Sequence, residues 1–349
     1  MALSDTVQPR NSRKAKILRL LGYGLAIGGL YRVLYYFHIM QFLHELANVS
    51  WRWVLLGMVF DVVSYAIQGL RWKLLLTPFG RVRLTHAIRA VYAGLFTNLI
   101  FPLRPGEILR SYLLSASEDI GLGRVLGSVG VERFVDLVIA TALLAMVSLF
   151  VELPRRFQRV ADTLGIVTLV ILAIVVLVIL YIEIKLGTTS GPEAARRRLP
   201  GKVMAVLTDL HAMGTAPSFY LAVVASLLMP FCQVLGLWAM MHSYGLHLSF
   251  LAAVVVLLVI NLGVSLPNAP ANFGSYQLFC VVGLSVFQIE KSTATGFSFF
   301  AFVALTLPLA IVGFPALLRS GLSVRSMREK VGSLSRQAFK SETEARGSA

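Results

Sequence analysis

The chain has 349 residues, of which 57% are hydrophobic and 14% charged, with a mean hydropathy of +0.76. A soluble domain carries about 25% charged residues, so an ordinary soluble enzyme is excluded, and the apolar residues gather in blocks of about 17 to 25, the length of one bilayer crossing. The net charge of +15 sits in clusters flanking those blocks rather than in one stripe, which argues for membrane orientation and against nucleic acid as a partner.

A polar, basic tail occupies residues 1–16. Its faint likeness to a signal peptide fails because no small-residue cleavage site follows and Arg32 interrupts the apolar stretch, so the first segment reads as a retained helix. Six full crossings are predicted in chain order, at 17–37, 53–76, 134–153, 164–186, 219–242 and 294–318. Two further apolar segments, 86–114 and 251–286, each run into a proline-rich break and resume as a second short piece, the pattern of a broken helix or re-entrant hairpin. The last segment, 319–349, mixes Ser, Lys, Arg and Glu and is expected to be disordered or to lie on an anionic surface. The expected fold is therefore an all-α polytopic membrane protein with one integral domain over 17–318.

Charge clusters set the sides. Five basic residues enter the first span (Arg10, Arg13, Lys14, Lys16, Arg19), five run from Arg71 to Arg89, five mark the loop 185–202 (Lys185, Arg196, Arg197, Arg198, Lys202), and seven follow from Arg319. The positive-inside rule assigns all four to the cytoplasm, which puts the chain in the cytoplasmic membrane as a multi-pass protein with both termini on the cytoplasmic side. Arg155, Arg156 and Arg159 are exceptions that would face outward. Under this topology 86–114 and 251–286 enter from opposite sides, and their breaks share Pro-x-x-Pro: Phe-Pro-Leu-Arg-Pro-Gly at 101–106 and Leu-Pro-Asn-Ala-Pro-Ala at 266–271. An inverted repeat leaves this pattern, and such repeats often carry the substrate site where discontinuous helices meet near the midplane.

Charge follows the first break at once. Arg104, Glu107 and Arg110 are three apart and share a helix face. Glu132, Arg133 and Asp136 follow at the predicted start of the third crossing, where Arg133 can pair with Asp136 and the acids can meet Arg104 or Arg110. Each charge costs roughly 2.5 to 3.5 kcal/mol at the bilayer centre. Two readings stand. Either three arginines and three acids bind a phosphate headgroup, guanidinium forks matching its oxygens and carboxylates holding the empty site, or all six sit at the cytoplasmic interface and snorkel into headgroups. Trp51, Trp53 and Trp72 read as interfacial anchors. Asn98, Asn261, Asn268 and Asn272 lie where freed backbone needs partners. Asp61 and Gln68 share a face of the second span, as interhelical hydrogen bonders or parts of a polar pathway. Cys232 and Cys280 lie in apolar stretches without metal or disulfide spacing, and read as small buried hydrophobes.

Four pieces occur in order over most of the chain: Gly-Leu-Arg-Trp at 69–72; Asn-x-x-x-Pro-x-x-x-Gly-Glu-x-x-Arg from Asn98, Pro102, Gly106, Glu107 and Arg110; Glu-Arg-x-x-Asp from Glu132, Arg133 and Asp136; and Pro-x-x-Pro-x-x-x-Gly from Pro267, Pro270 and Gly274. In these the chain resembles the flippase-like family named after the transmembrane region of lysylphosphatidylglycerol synthase. The resemblance implies a multi-span bundle that moves or presents a lipid such as a modified phospholipid, a prenyl-phosphate-linked sugar or a hopanoid-type lipid. Members with lysyl-transferase activity carry a soluble catalytic domain after the membrane part. Here the chain stops at Ala349 after a short basic tail, so transfer activity is not expected. Where the family's late motif often has a glycine pair and then a glutamate, this sequence has Ala271-Asn272 and Gln277. If that acid couples transport to protons, coupling in this chain is not expected.

The expected function is lipid translocation. Arg104, Arg110 and Arg133 would hold an anionic headgroup, Glu107, Glu132 and Asp136 would balance them, and Asn98, Asn268, Asn272 and Gln277 complete the candidate binding set. No Asp-x-Asp motif, nucleophile elbow or phosphate-cradling glycine loop is present, so neither catalysis nor a metal or cofactor is expected. The alternatives are a non-catalytic membrane partner that docks a cytoplasmic lipid-modifying enzyme through 185–202 or 319–349, and a membrane-embedded transferase using a lipid-linked donor.

Overall fold

The computed structural model describes residues 24, 27–101, 104–150, 158–159, 162–174, 177, 201–265 and 269–320. Among them every regular element is helical: α1 (Ile39–Ala47), α2 (Trp51–Leu76), α3 (Leu84–Ile100), α4 (Gly106–Glu118), α5 (Leu122–Ser148), α6 (Gly201–Thr215), α7 (Pro217–Ser243), α8 (Phe250–Val264), α9 (Ser275–Ser285) and α10 (Lys291–Leu318). A further short apolar helix spans Asp162–Ile174.

Among the described residues three helices are long and apolar enough to cross a membrane: Trp51–Phe79, Pro217–Ser243 and Lys291–Leu318. They match the second, fifth and sixth predicted crossings to within three residues. The third differs, because its helix starts at Leu122 rather than near 134 and runs 27 residues, about 40 Å at 1.5 Å per residue. Its charged first half hid this extension from the hydropathy pattern. The first and fourth predicted crossings are described only in part, over 24 and 27–37, where 27–34 are helical, and over 164–174 and 177, while Arg155 and Arg156, residues 185–200 and the tails 1–16 and 321–349 lie outside the described residues. The short amphipathic α1 was not predicted. Its Glu45 accepts hydrogen bonds from Tyr244 Oη (2.7 Å) and Thr293 Oγ1 (2.9 Å), tying α1 to α7 and α10.

The two broken segments are hairpins. With 13 residues in α4 and 11 in α9, the return arms reach about 20 and 16 Å, short of the roughly 30 Å hydrocarbon core. In the first hairpin His86 Nδ1 lies 2.6 Å from Glu118 at the open end, while the Gly106 N–H donates to Asn98 Oδ1 (2.8 Å) at the tip. A Cβ built on Gly106 would lie 1.9 Å from the Gly94 carbonyl oxygen, so only glycine lets the two arms approach this closely. In the second hairpin Gly263 meets the Phe279 ring and Gly283 meets Val256.

Helices α2 and α7 cross antiparallel through the centre. Ser50 N–H donates to the Ser243 carbonyl at one end, Gly57 packs on Gly236 midway, and Arg71 faces Ser226 at the other. Small residues at such crossings suit a bilayer, where apolar contact alone gives helices no preference for each other over lipid. The first hairpin follows the end of α2, and the second follows the opposite end, where α7 finishes. The hairpins therefore enter from opposite ends and their tips meet: Arg104 Nη1 donates to the Val264 carbonyl at the end of α8 (3.2 Å). One apolar core, including Trp72, Leu76, Val91, Leu109 and Leu114, surrounds the first hairpin. Another, including Leu237, Met240, Val256, Leu284 and Phe297, surrounds the second.

Candidate functional site

A cavity of about 540 Å³ opens where the hairpin tips meet. Its polar wall carries Asp61, Gln68, Asn98, Arg104, Glu107, Arg110, Arg133 and Asp136, and its apolar wall carries Leu137, Ala140, Leu144, Leu257 and Leu258. Pro230 and Ser226 also line it. A proline at 230 cannot donate to the carbonyl four residues back, so α7 lacks its usual helical hydrogen bond to the Ser226 carbonyl.

The charges form two layers. In the inner layer Glu132 is fully buried and accepts hydrogen bonds from Arg71, from Arg110 Nη2 (2.7 Å) and from Gln68 Nε2 (3.1 Å). Arg71, also fully buried, donates in addition to Asp136. Arg110 stacks over the Trp72 ring with its guanidinium carbon 4.7 Å from the centroid, and Trp72 Nε1–H donates to Ser128 Oγ (2.9 Å). In the outer layer Arg133 bridges Glu107 (2.8 Å) and Asp136 (3.5 Å), and the Arg133 and Glu107 side chains are 45% and 34% exposed.

This geometry corrects the interfacial reading for the inner layer. Glu132 stands ten residues into α5, about 15 Å along it, and has no exposed surface with which to snorkel. Arg71, grouped by sequence with the cytoplasmic arginines, is instead the central cation of the cluster. Trp72, read as an interfacial anchor, has no exposed surface, whereas Trp51 is exposed. The only sequence signal for Arg71 was its place in Gly-Leu-Arg-Trp, since its own neighbours look like an ordinary basic helix end.

The other predicted residues separate. Arg104 lines the cavity but forms no close ion pair among the described residues, and its backbone is left-handed with φ 53°. Asn272 lines the cavity from the second tip, also left-handed with φ 56°. Such conformations cost about 1 to 3 kcal/mol for non-glycine residues and concentrate at sites that use them. Asn98 touches the cavity but spends its oxygen on Gly106. Gln277 does not line the cavity: it is fully buried, and its Oε1 accepts the Gly274 N–H (2.7 Å), capping α9. Asn268 lies outside the described residues, as do Pro102 and Pro267. Asp61, absent from the predicted binding set, is on the cavity wall. Among the described residues no cluster of His, Cys, Asp and Glu could hold a metal ion.

The comparisons with known proteins agree with a membrane assignment. The chain is 23% identical over 309 residues to a UPF0104 membrane protein of Methanocaldococcus jannaschii, covering 82% of this chain and 90% of that protein. It is 24% identical over 255 residues to a UPF0104 membrane protein of Methanothermobacter thermautotrophicus, covering 68% and 76%. A third match, 28% identical over 161 residues, is to Glycosyltransferase AglD of Haloferax volcanii. There the match spans 46% of this chain but only 26% of that longer protein. No solved structure matches the chain. The model of the lysylphosphatidylglycerol synthase TM region matches residues 19–313, and on that span the chain belongs to this family of multi-pass membrane proteins.

Proposed function

We propose that the chain is a lipid translocase, carrying an anionic headgroup through the cavity between the hairpins while the acyl or prenyl tails stay in the bilayer. The observation that carries this reading is the pairing of a charged wall with an apolar wall in one cavity, at the contact of two hairpins entering from opposite ends. Arg104 and Arg133 offer guanidinium donors to a phosphate, with Glu107 and Asp136 holding Arg133 in the empty state. The basic end of the bundle, with Arg81, Arg83 and Arg89, faces the cytoplasm by the positive-inside rule. The order of helix lengths supports an inverted repeat. Residue counts of 26, 17, 13 and 27 in α2 to α5 are followed by 27, 15, 11 and 28 in α7 to α10, with α2 and α7 antiparallel.

The test is headgroup accessibility in proteoliposomes, using fluorescent anionic phospholipid, aminoacylated phospholipid, prenyl phosphate and a neutral sterol-like lipid. Glu107→Gln and Arg133→Ala are the informative variants, because both residues belong to the outer layer. A hydrogen bond to a charged group contributes about 1.5 to 3 kcal/mol, so each variant is expected to slow the transported lipid about tenfold or more while folding normally. Transport at the wild-type rate in both variants overturns the assignment of the site. If no lipid crosses in wild type, the translocase reading falls. The partial match to a protein named a glycosyltransferase then favours the second reading, a membrane partner presenting lipid to a modifying enzyme.

A further inference from the structure

Asp61 is the acid in the cavity that the charged cluster does not use. It sits midway along α2 and is 7% exposed. Among the described residues its carboxylate makes no ion pair or side-chain hydrogen bond, and its Oδ2 is buried without a partner. Tyr276 Oη, on the opposing hairpin and lining the same cavity, is likewise buried without a partner. The available cations are engaged elsewhere. Arg71 and Arg110 hold Glu132, Arg133 holds Glu107 and Asp136, and Arg104 turns to the Val264 carbonyl.

The surroundings of Asp61 complete the electrostatic picture. Along its own helix face stand Tyr65 and Gln68. From α3, Tyr92 packs edge-on against Tyr65 with its hydroxyl given to the Val62 carbonyl. The first tip contributes Arg104, and α9 contributes Tyr276. Helix α7 meets Asp61 with Gly236, and no ionisable residue of α7, α8 or α10 lines the cavity. Arg133 and Asp136 of α5 and Glu107 and Arg110 of α4 line it further along.

Building on the translocase reading, we infer that Asp61 is a proton-binding site linked to the cavity, taking up one proton as an anionic headgroup enters and releasing it as the headgroup leaves. An ionised carboxylate and an anionic headgroup sharing one low-dielectric cavity repel each other, whereas the neutral acid does not. Headgroup entry therefore favours the protonated form, and by reciprocity a proton on Asp61 favours headgroup entry. The balance is simple: one carboxylate gains one proton and later returns it to the opposite side, and no covalent bond to the lipid forms or breaks. A proton moving with a monoanionic headgroup transfers no net charge, so a pH difference drives the cycle and a membrane potential does not.

The full chain in proteoliposomes tests this, with fluorescent anionic lipid and a trapped pH indicator, with and without an imposed pH gradient. For one proton per lipid, a gradient of one pH unit sustains about a tenfold uneven distribution of lipid, or about 1.4 kcal/mol. Wild type is expected to approach that distribution and to acidify the receiving lumen. Asp61→Asn, which fixes the neutral form, is expected to equilibrate lipid identically with and without the gradient and to move no protons. Infrared difference spectra of purified protein provide the second readout: wild type gains a protonated-carboxyl band on binding anionic lipid, and Asp61→Asn lacks it. Gradient-independent exchange in wild type, or an unchanged carboxyl band, overturns the inference and leaves the translocase reading intact. If wild type moves no lipid even without a gradient, that reading falls first and the coupling falls with it.

Discussion

Removing Glu132 perturbs the charged cluster at its centre. In Glu132→Ala, Arg110 loses its acid, Arg71 keeps Asp136 as its one paired acid, and the Gln68 amide loses its acceptor, all within a region where Glu132 and Arg71 have no exposed surface. Breaking a buried ion pair from one side costs about 3 to 5 kcal/mol, because the remaining charge is left in low dielectric. The outer pair of Arg133 and Glu107 offers the internal control. With side chains 45% and 34% exposed, it is worth about 0.2 to 1 kcal/mol. The assay is thermal unfolding of the purified chain in mild detergent, followed by helical circular dichroism. With an unfolding entropy of about 2.1 cal/mol/K per residue, a chain of 349 residues shifts by roughly 1.4 °C per kcal/mol, so Glu132→Ala should lower Tm by about 4 to 7 °C and Glu107→Ala by no more than about 1.5 °C. Equal shifts in the two variants, or a Glu132→Ala Tm within about 2 °C of wild type, would refute the division into a structural inner layer and a working outer layer.

Three further substitutions check the supporting geometry. Gly106→Ala drives a Cβ into the Gly94 carbonyl and forces the hairpin arms apart, an overpacking cost of about 1 to 3 kcal/mol, which the same melt reads as a lowered Tm. Asn98→Ala strands the Gly106 N–H at the tip and should cost about 1 to 3 kcal/mol, with faster hydrogen exchange at Gly106 by mass spectrometry as its local signature. Trp72→Phe keeps a ring over Arg110 but leaves Ser128 Oγ without its donor. Its expected loss is about 1 kcal/mol, and a loss above about 3 kcal/mol would mean that the indole shape rather than its N–H holds that site.

The parts of the fold that sequence made legible are those governed by hydropathy alone. Helices α2, α7 and α10 are apolar along their length, so their apolar runs give their ends to within three residues. Both hairpins were visible because Pro102, Pro105, Pro267 and Pro270 cannot continue a helix. Helix α5 was misjudged at its start because Arg124, Glu132 and Arg133 look like flanking charge when no partner can be seen. Its true start at Leu122 makes sense only once Arg71 and Arg110 are known to neutralise Glu132 from other helices.

The same blindness to tertiary pairing explains the site. Spacing within one helix can suggest that Arg133 meets Asp136, and the structure has that pair at 3.5 Å. It cannot distinguish an arginine at a helix end from one turned inward, so Arg71 was counted with Arg81 and Arg83 as a marker of sidedness. The decisive difference is what lies opposite. α5 and α7 present Glu132, Asp136 and Ser226 to Arg71, and none of these is near it in sequence. Asp61 illustrates the converse, an isolated polar residue in an apolar span whose carboxylate makes no ion pair or side-chain hydrogen bond among the described residues. Pairing fixes Arg71 in one state, while its absence leaves Asp61 free to change state, and that contrast is what the proposed proton-coupled carriage of a headgroup asks of the cavity wall.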